Sequence, residues 1–281
     1  AGLRSAKRFI WAEYYIVNGD DTGRRFLEVL AEKVADGVQI YLLYDAVGSL
    51  GIDPARLHAL EKVGGHARPF LPVNPLRRRW STHLRNHRKL IVIDGELGFT
   101  GGMNIGDEYS GLGLRRGTGH FRDTHMSLRG PALLDLGEIF REDWEFTTQE
   151  SLPRFDYPPV AGPSVVQIIP SGPDQAHNAH GMVYFAGIAG AQTSVDITSP
   201  YFIPDPPIIR AFVSAALRGV RVRILVPSRN DVAVVGWAAR SYYAELLLAG
   251  VRIFEYQPSM LHAKVMVVDG AWSILGSANV D

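Results

Sequence analysis

A nine-residue stretch occurs twice in this chain. His87-Arg88-Lys89-Leu90-Ile91-Val92-Ile93-Asp94-Gly95 aligns with His262-Ala263-Lys264-Val265-Met266-Val267-Val268-Asp269-Gly270, 175 positions later. The same offset carries Gly101-Gly102-Met103-Asn104 onto Gly276-Ser277-Ala278-Asn279. Upstream, Gly37–Leu43 resembles Gly219–Leu225, and Tyr15-Ile16-Val17 sits where the second copy has Tyr201-Phe202-Ile203. Solenoid repeats have periods of about 20–50 residues, so a repeat this long predicts two homologous halves facing each other.

The proline-rich stretch from Leu152-Pro153 to Pro163 has no apolar period and is expected to link the halves. The expected division is therefore 1–150 for the first half, 151–163 for the linker and 164–281 for the second half. Phe26, Leu27, Val29, Leu30 and Val34 form a helical stripe that Gly37 would end as a C′ glycine. Ile208, Ile209, Phe212, Val213, Ala216 and Leu217 do the same ahead of Gly219. Short β-branched runs follow each glycine, and this alternation of helix and strand predicts a layered α/β fold.

His and Lys two residues apart on a strand project from one face, because side chains alternate with period two. His87 with Lys89, and His262 with Lys264, would each point into one pocket. Asp94 and Asp269 have the wrong parity for that pocket, and Asp-Gly signals a hairpin turn. The motif aspartates thus enter the candidate catalytic set as turn and scaffold residues. Each return strand would bring Asn104 or Asn279 back beside its His-Lys pair, after small residues that let a phosphate approach the backbone.

Two imidazoles, two ammoniums and two amides suit a phosphodiester exchange in two steps. One histidine attacks phosphorus, and the other protonates the leaving alkoxide and then deprotonates the incoming alcohol. Lysines and asparagines would hold the non-bridging oxygens. No metal or cofactor is required. A nucleophilic imidazole also needs an acceptor on its other nitrogen. Asp123, in Phe121-Arg122-Asp123-Thr124-His125, is the candidate for His87; the carboxylate for His262 is expected beyond Asn279, so the second half is expected to be incomplete at its C-terminus.

These residues resemble the phospholipase D superfamily, whose signature is paired H-x-K-x4-D, each followed by G-[GS]-x-N. Several further blocks resemble bacterial cardiolipin synthases. They are Gly101–Tyr109, Arg122-Asp123-Thr124-His125, Gly130-Pro131-Ala132, Ser199–Asp205 and Tyr256–Lys264. The resemblance implies a duplicated phospholipase D-type fold: two α/β/α halves related by a pseudo-twofold axis, with the active site between them. It implies condensation of two phosphatidylglycerol molecules to cardiolipin and glycerol through a phosphohistidine, at the bacterial inner membrane, with His87 favoured as the nucleophile. The alternatives are a hydrolytic phospholipase D, a nuclease of the same superfamily, or a non-catalytic module that binds anionic lipid.

Composition sorts among these. The 281 residues carry a formal net charge of zero, which disfavours nucleic acid as a partner, since tracking phosphates takes many cations. There is no cysteine, which excludes disulfides, thiolate metal sites and cysteine nucleophiles. No apolar run approaches the roughly 18 residues of a membrane span. The chain opens without methionine and enters Phe9-Ile10-Trp11 almost at once, so an upstream segment is expected. Arg77-Arg78-Arg79-Trp80 with Arg85 and Arg88 reads either as a solvated loop or as a contact to anionic headgroups. Val232–Trp237 reads as core or helix start, or alternatively as an acyl-chain wall or membrane-dipping element. His177 and His180 read as surface residues rather than metal ligands. Of His83, His120 and His125, the family pattern favours only His125.

Overall fold

The computed structural model describes residues 2–71, 86–110, 120–171 and 179–280. Along the chain run β1 (Phe9–Tyr14), α1 (Asp21–Ala35), β2 (Gln39–Asp45), α2 (Pro54–Lys62) and β3 (His66–Phe70). They are followed by β4 (Lys89–Ile93), β5 (Leu97–Gly101), α3 (Asp107–Ser110), β6 (Phe121–Arg122), β7 (His125–Leu128) and α4 (Ala132–Thr148). Next come α5 (Ala179–Gly190), β8 (Ser194–Thr198), α6 (Pro206–Leu217), β9 (Arg221–Pro227), α7 (Ala233–Ser241) and α8 (Tyr243–Leu248). The last elements are β10 (Arg252–Tyr256), β11 (Met260–Leu261), β12 (Val265–Val268) and β13 (Trp272–Leu275).

Two compact units result, one of Ala1–Gly113 with Met126–Asp174, the other of Leu114–His125 with Gln175–Asp281. The expected boundaries at 150 and 163 are therefore displaced, for two reasons. First, the proline-rich stretch packs on the first unit: Leu152 is buried, and Phe155 lies 5.8 Å from Phe9 and 5.7 Å from Trp11 between ring centres. Gly137 leaves room for that ring, since a Cβ there would come within 2.5 Å of Phe155. Second, β6 pairs in parallel with β11, which assigns a piece of the first motif half to the second unit.

In the first unit the sheet order is β3-β2-β1-β4-β5-β7, with β1–β2 and β2–β3 parallel and β1–β4 and β4–β5 antiparallel. Ile10, Ala12, Tyr14, Ile91 and Ile93 bury one face against Phe26, Leu27 and Leu30 of α1. Trp11, Leu43, Leu90 and Val92 bury the other against Leu133, Leu136, Phe140 and Trp144 of α4. Apolar residues on both faces of β4 thus follow from a helix layer on each side. In the second unit the order is β10-β9-β8-β12-β13, with the same pattern of parallel and antiparallel pairs. Val195, Ile197, Val222, Ile224 and Met266 pack against Ile188 of α5 and Phe212 of α6. The duplication read from the repeat is therefore a duplication of topology over five strands, and the first sheet adds β7 at its edge.

Candidate active site

Each motif histidine lies just ahead of the strand that pairs antiparallel with β1 or β8: His87 is two residues before β4 and His262 three before β12. Each motif aspartate closes the following hairpin: Asp94 and Asp269 have φ of 55° and 56°, and Gly95 and Gly270 have 70° and 65°. Three residues join each hairpin, Ile93 pairing with Leu97 and Val268 with Trp272. Positive φ at Asp and Gly lets Glu96 N reach Ile93 O at 2.9 Å and Ala271 N reach Val268 O at 3.0 Å. The aspartate side chains bind backbone at the start of the neighbouring strand. Asp94 accepts from the N–H groups of Lys7, Arg8 and Phe9, all at 2.8 Å. Asp269 accepts from those of Gln192, Thr193 and Ser194 at 3.0, 2.8 and 2.8 Å. These backbone donors hold the Asp269 carboxyl well below the usual carboxylate range.

In the first unit Lys89 is 1% exposed, and its Nζ donates to the His87 carbonyl at 2.7 Å. The Tyr15 ring lies 4.8 Å from the His87 imidazole and 5.3 Å from Lys89 Nζ. Asn104 is buried; its Oδ1 accepts from Ile16 N at 3.2 Å and its Nδ2 donates to the Tyr109 hydroxyl at 3.0 Å. It thereby ties the segment after β5 to the segment after β1, where a bridge also joins Val17 to Ile105. Asn104 therefore has a scaffolding job in addition to any contact with phosphate.

Beneath His87, on the α4 side of the sheet, lies a buried polar cluster. Asn86 Nδ2 donates to Glu13 Oε1 and, at 3.0 Å, to Asp143 Oδ2, while Asn86 Oδ1 accepts from Arg88 N at 3.0 Å. Arg88 Nη1 pairs with Asp143 Oδ2. Arg88, read with the nearby basic run either as solvated loop or as a headgroup contact, is instead turned inward by its ion pair with Asp143. The rest of that basic run, Arg77–Trp80 with Arg85, lies outside the described residues, as do His83 and His177. Glu13 is 2% exposed, and its Oε2 has no hydrogen-bond partner among the described residues. Burial first, then the charge of Asp143, push its carboxyl well above the ordinary range.

In the second unit Lys264 repeats the arrangement of Lys89. Its Nζ donates to the His262 carbonyl at 2.6 Å and lies 3.0 Å from each ring nitrogen. Asp123 Oδ2 lies 2.6 Å from His262 Nδ1, with both side chains buried. This corrects the expected pairing of Asp123 with His87 and the expectation that the carboxylate for His262 falls beyond Asn279. The reason is the β6–β11 pair, extended by His262 N donating to Arg122 O at 2.8 Å, which sets Asp123 beside the second motif. With Nδ1–H directed at the carboxylate, the tautomer assigned by this hydrogen bond leaves the lone pair on Nε2. That is the arrangement a nucleophile or base requires.

The Tyr201 ring stands edge-on to His262, with centres 6.4 Å apart, and Phe121 lies 5.5 Å away. Asn279 precedes Val280, which bridges to Phe202 and accepts from Ile203 N at 2.9 Å. Tyr15 and Tyr201 were aligned by the repeat but not assigned to the site; their shared position was the available signal. His180 is the second residue of α5. No cluster of His, Cys, Asp or Glu suited to a metal ion occurs among the described residues.

A family model described as "Cardiolipin synthase, PLD-like domain" matches residues 1–112 and 184–281. A cardiolipin synthase of Geobacillus kaustophilus is 46% identical over 286 aligned positions, covering 100% of this chain and 57% of the relative. Cardiolipin synthase 2 of Bacillus cereus is 43% identical, covering 100% of this chain and 55% of the relative. The chain thus spans about half the length of the curated relatives it matches. The crystal structure of a phosphatidylserine synthase from Haemophilus influenzae has the same fold, with a TM-score of 0.71 at 17% identity, covering 99% of this chain and 75% of that one. The duplicated sheet, two H-x-K-x4-D motifs and similarity over the whole of this chain agree: the chain belongs to the cardiolipin synthase family of phospholipase D-like proteins.

Proposed function

We propose that this chain carries the phosphatidyl-transfer chemistry of a cardiolipin synthase, acting on phosphatidylglycerol. The observation that carries the reading is His262, with Nδ1 on the Asp123 carboxylate and Lys264 Nζ at 3.0 Å, on a motif that the first unit repeats. One histidine, His87 by resemblance, attacks the phosphorus of a phosphatidylglycerol. The bond from phosphorus to the glycerol headgroup breaks, and the other imidazolium gives its proton to the departing glycerol oxygen. The resulting phosphohistidine is attacked by a hydroxyl of a second phosphatidylglycerol, whose proton returns to the second imidazole. Cardiolipin forms and the first histidine is freed. Lys89 and Lys264 would leave their carbonyl partners to neutralise the non-bridging oxygens, and Asn104 and Asn279 would close the phosphate site. A phospholipid substrate also places the enzyme at a membrane surface, although no helix among the described residues is long and apolar enough to cross one.

The test is incubation with phosphatidylglycerol alone, followed by phospholipid analysis. Cardiolipin and glycerol in equal amounts are expected, and His87→Ala or His262→Ala should each lower the rate by about 10³-fold or more. Phosphatidic acid without cardiolipin would mean that water is the acceptor and the protein a hydrolase. Full activity in either variant would end the two-histidine mechanism.

A further inference from the structure

The stretch Val232–Trp237 is the one apolar segment singled out in the sequence that neither the core nor the site has used. The structure rules out its reading as core: Val232, Val234 and Trp237 are 42%, 63% and 69% exposed. Helix α7 is fixed from its other side by the buried Ala239, so these side chains are left facing out. Val234 and Trp237 are three residues apart and share a helix face. Beside that face is a cavity of about 250 Å³ whose walls include Pro200, Phe202, Val226, Gly236, Trp237 and Tyr243. Arg229 and Arg240, both exposed, also line it. Arg240 shares its charge with Glu255 at 3.4 Å, while Arg229 forms no ion pair among the described residues. Tryptophan beside aliphatic side chains, flanked by guanidinium groups, is the composition of an element seated at a lipid–water interface.

The same helix is coupled to the catalytic histidine. Tyr201, edge-on to His262, donates its hydroxyl hydrogen bond to Asp231, with 2.9–3.0 Å to the two carboxylate oxygens, one residue before Val232. Asn230 donates to Pro200 O at 2.9 Å and accepts from Val232 N at 2.9 Å, so the turn into α7 is pinned to the end of β8. Asp231, the acidic residue nearest this face in sequence, is engaged by Tyr201.

We propose that the outward face of α7 is the docking surface of this unit for a phospholipid bilayer: Val234 and Trp237 enter the headgroup–acyl boundary, and Arg229 and Arg240 meet anionic headgroups. The inference rests on the lipid-substrate reading above, and it names the element that brings the His262 side of the site to the membrane. Docking through α7 sets the bilayer next to Tyr201, so a headgroup need leave the surface only slightly to reach the imidazole.

Co-sedimentation with vesicles of phosphatidylcholine containing phosphatidylglycerol tests this with the chain as described. Val234→Asp with Trp237→Ser is expected to weaken vesicle binding at least tenfold. Leu217→Ser, at an equally exposed site on α6, should bind as the parent does. All three residues are exposed, so circular dichroism and melting temperature should be unchanged in each variant. Turnover of long-chain phosphatidylglycerol in vesicles should fall with the loss of binding, while turnover of monomeric dihexanoyl phosphatidylglycerol should not. Unchanged vesicle binding by the double variant, or no binding by the parent, overturns the proposal. So does a loss of self-association in the double variant without loss of vesicle binding, which would make α7 a contact between copies of the chain. Binding that depends on Trp237 in a protein that makes no cardiolipin would retire the synthase reading and leave the docking surface standing.

Discussion

Around His87 the flanking residues Asn86 and Arg88 are polar and reach buried carboxylates, whereas the same positions around His262 are Leu261 and Ala263, both buried and apolar. The contrast continues along the neighbouring strands. Leu90 pairs with Glu13 on β1, and its counterpart Val265 pairs with Thr198 on β8. Asp45, which ends β2 and accepts from Asn86 N at 3.4 Å, corresponds to Pro227 at the end of β9. The first unit thus holds its histidine from below by a buried polar cluster. The second holds its own by apolar packing, a borrowed two-residue strand and one carboxylate on the imidazole. Backbone topology and the motif's turn aspartate were kept in both copies, while the support of the reactive group diverged. The two copies are therefore alike in their His-Lys arrangement and different in what breaks it.

The largest expected effect lies in the first unit. Arg88→Ala gives that position its second-unit character but leaves Asp143 without its cation in a part-buried setting beside Glu13, the Asn86 hydrogen bond remaining. Removing one partner of a buried pair typically costs 3–5 kcal/mol, so a loss of about 3 kcal/mol is expected in chemical denaturation. The reverse exchange, Ala263→Arg, meets no counterpart of the Glu13–Asp143 pair among the described residues and serves as the comparison. A loss below about 1 kcal/mol in Arg88→Ala would mean that the cluster does not carry the first motif.

A smaller effect, on catalysis, separates the two histidines directly. Asp123→Asn removes the acceptor from His262 Nδ1 and should lower kcat roughly 10–100-fold, the usual cost of losing an orienting partner. A structural role alone would not move the following readout. The Nδ1–H proton held by the carboxylate should appear far downfield in the NMR spectrum, and it should vanish in Asp123→Asn and in His262→Gln but persist in His87→Gln. Loss of that signal with His87 would return Asp123 to the first histidine and dissolve the contrast.

Much of this was legible in the sequence, for reasons that particular residues make plain. The hairpin was readable because Asp-Gly at a positive-φ turn is a local constraint, satisfied within a few residues. The parallel strands and α1 were readable from apolar period and from Gly37, whose φ of 84° ends the helix as its position suggested. Asp123 was found as an orienting carboxylate but given to the wrong histidine, since its partner is fixed by a two-residue strand pairing 139 positions away. No periodicity encodes a contact of that kind. Glu13 was missed for a related reason. On β1 it lies between Leu43 of β2 and Leu90 of β4, and only the three-dimensional meeting with Asn86 and Asp143 turns an oddly placed acid into a support.

Glu13 also supplies the finest test of the comparison, because its counterpart Thr198 cannot titrate. Burial and the Asp143 charge raise the Glu13 carboxyl in the folded state, so the folded protein retains a proton that the unfolded chain releases near pH 4.3. Where the folded state binds more protons, stability falls as pH rises. The stability associated with this group is therefore fully present below the unfolded value, declines as pH climbs towards the folded value, and is lost once the folded group ionises. Glu13→Gln keeps the shape and a donor towards Asp143 while removing the titration. Relative to the parent it should gain about 2–4 °C in melting temperature at pH 7–8 and little or nothing at pH 4. A gain of equal size at both pH values would assign the change to packing. A loss at neutral pH would mean that the first unit uses Glu13 in its charged form, and the support beneath His87 would then be an ion cluster instead of a protonated one.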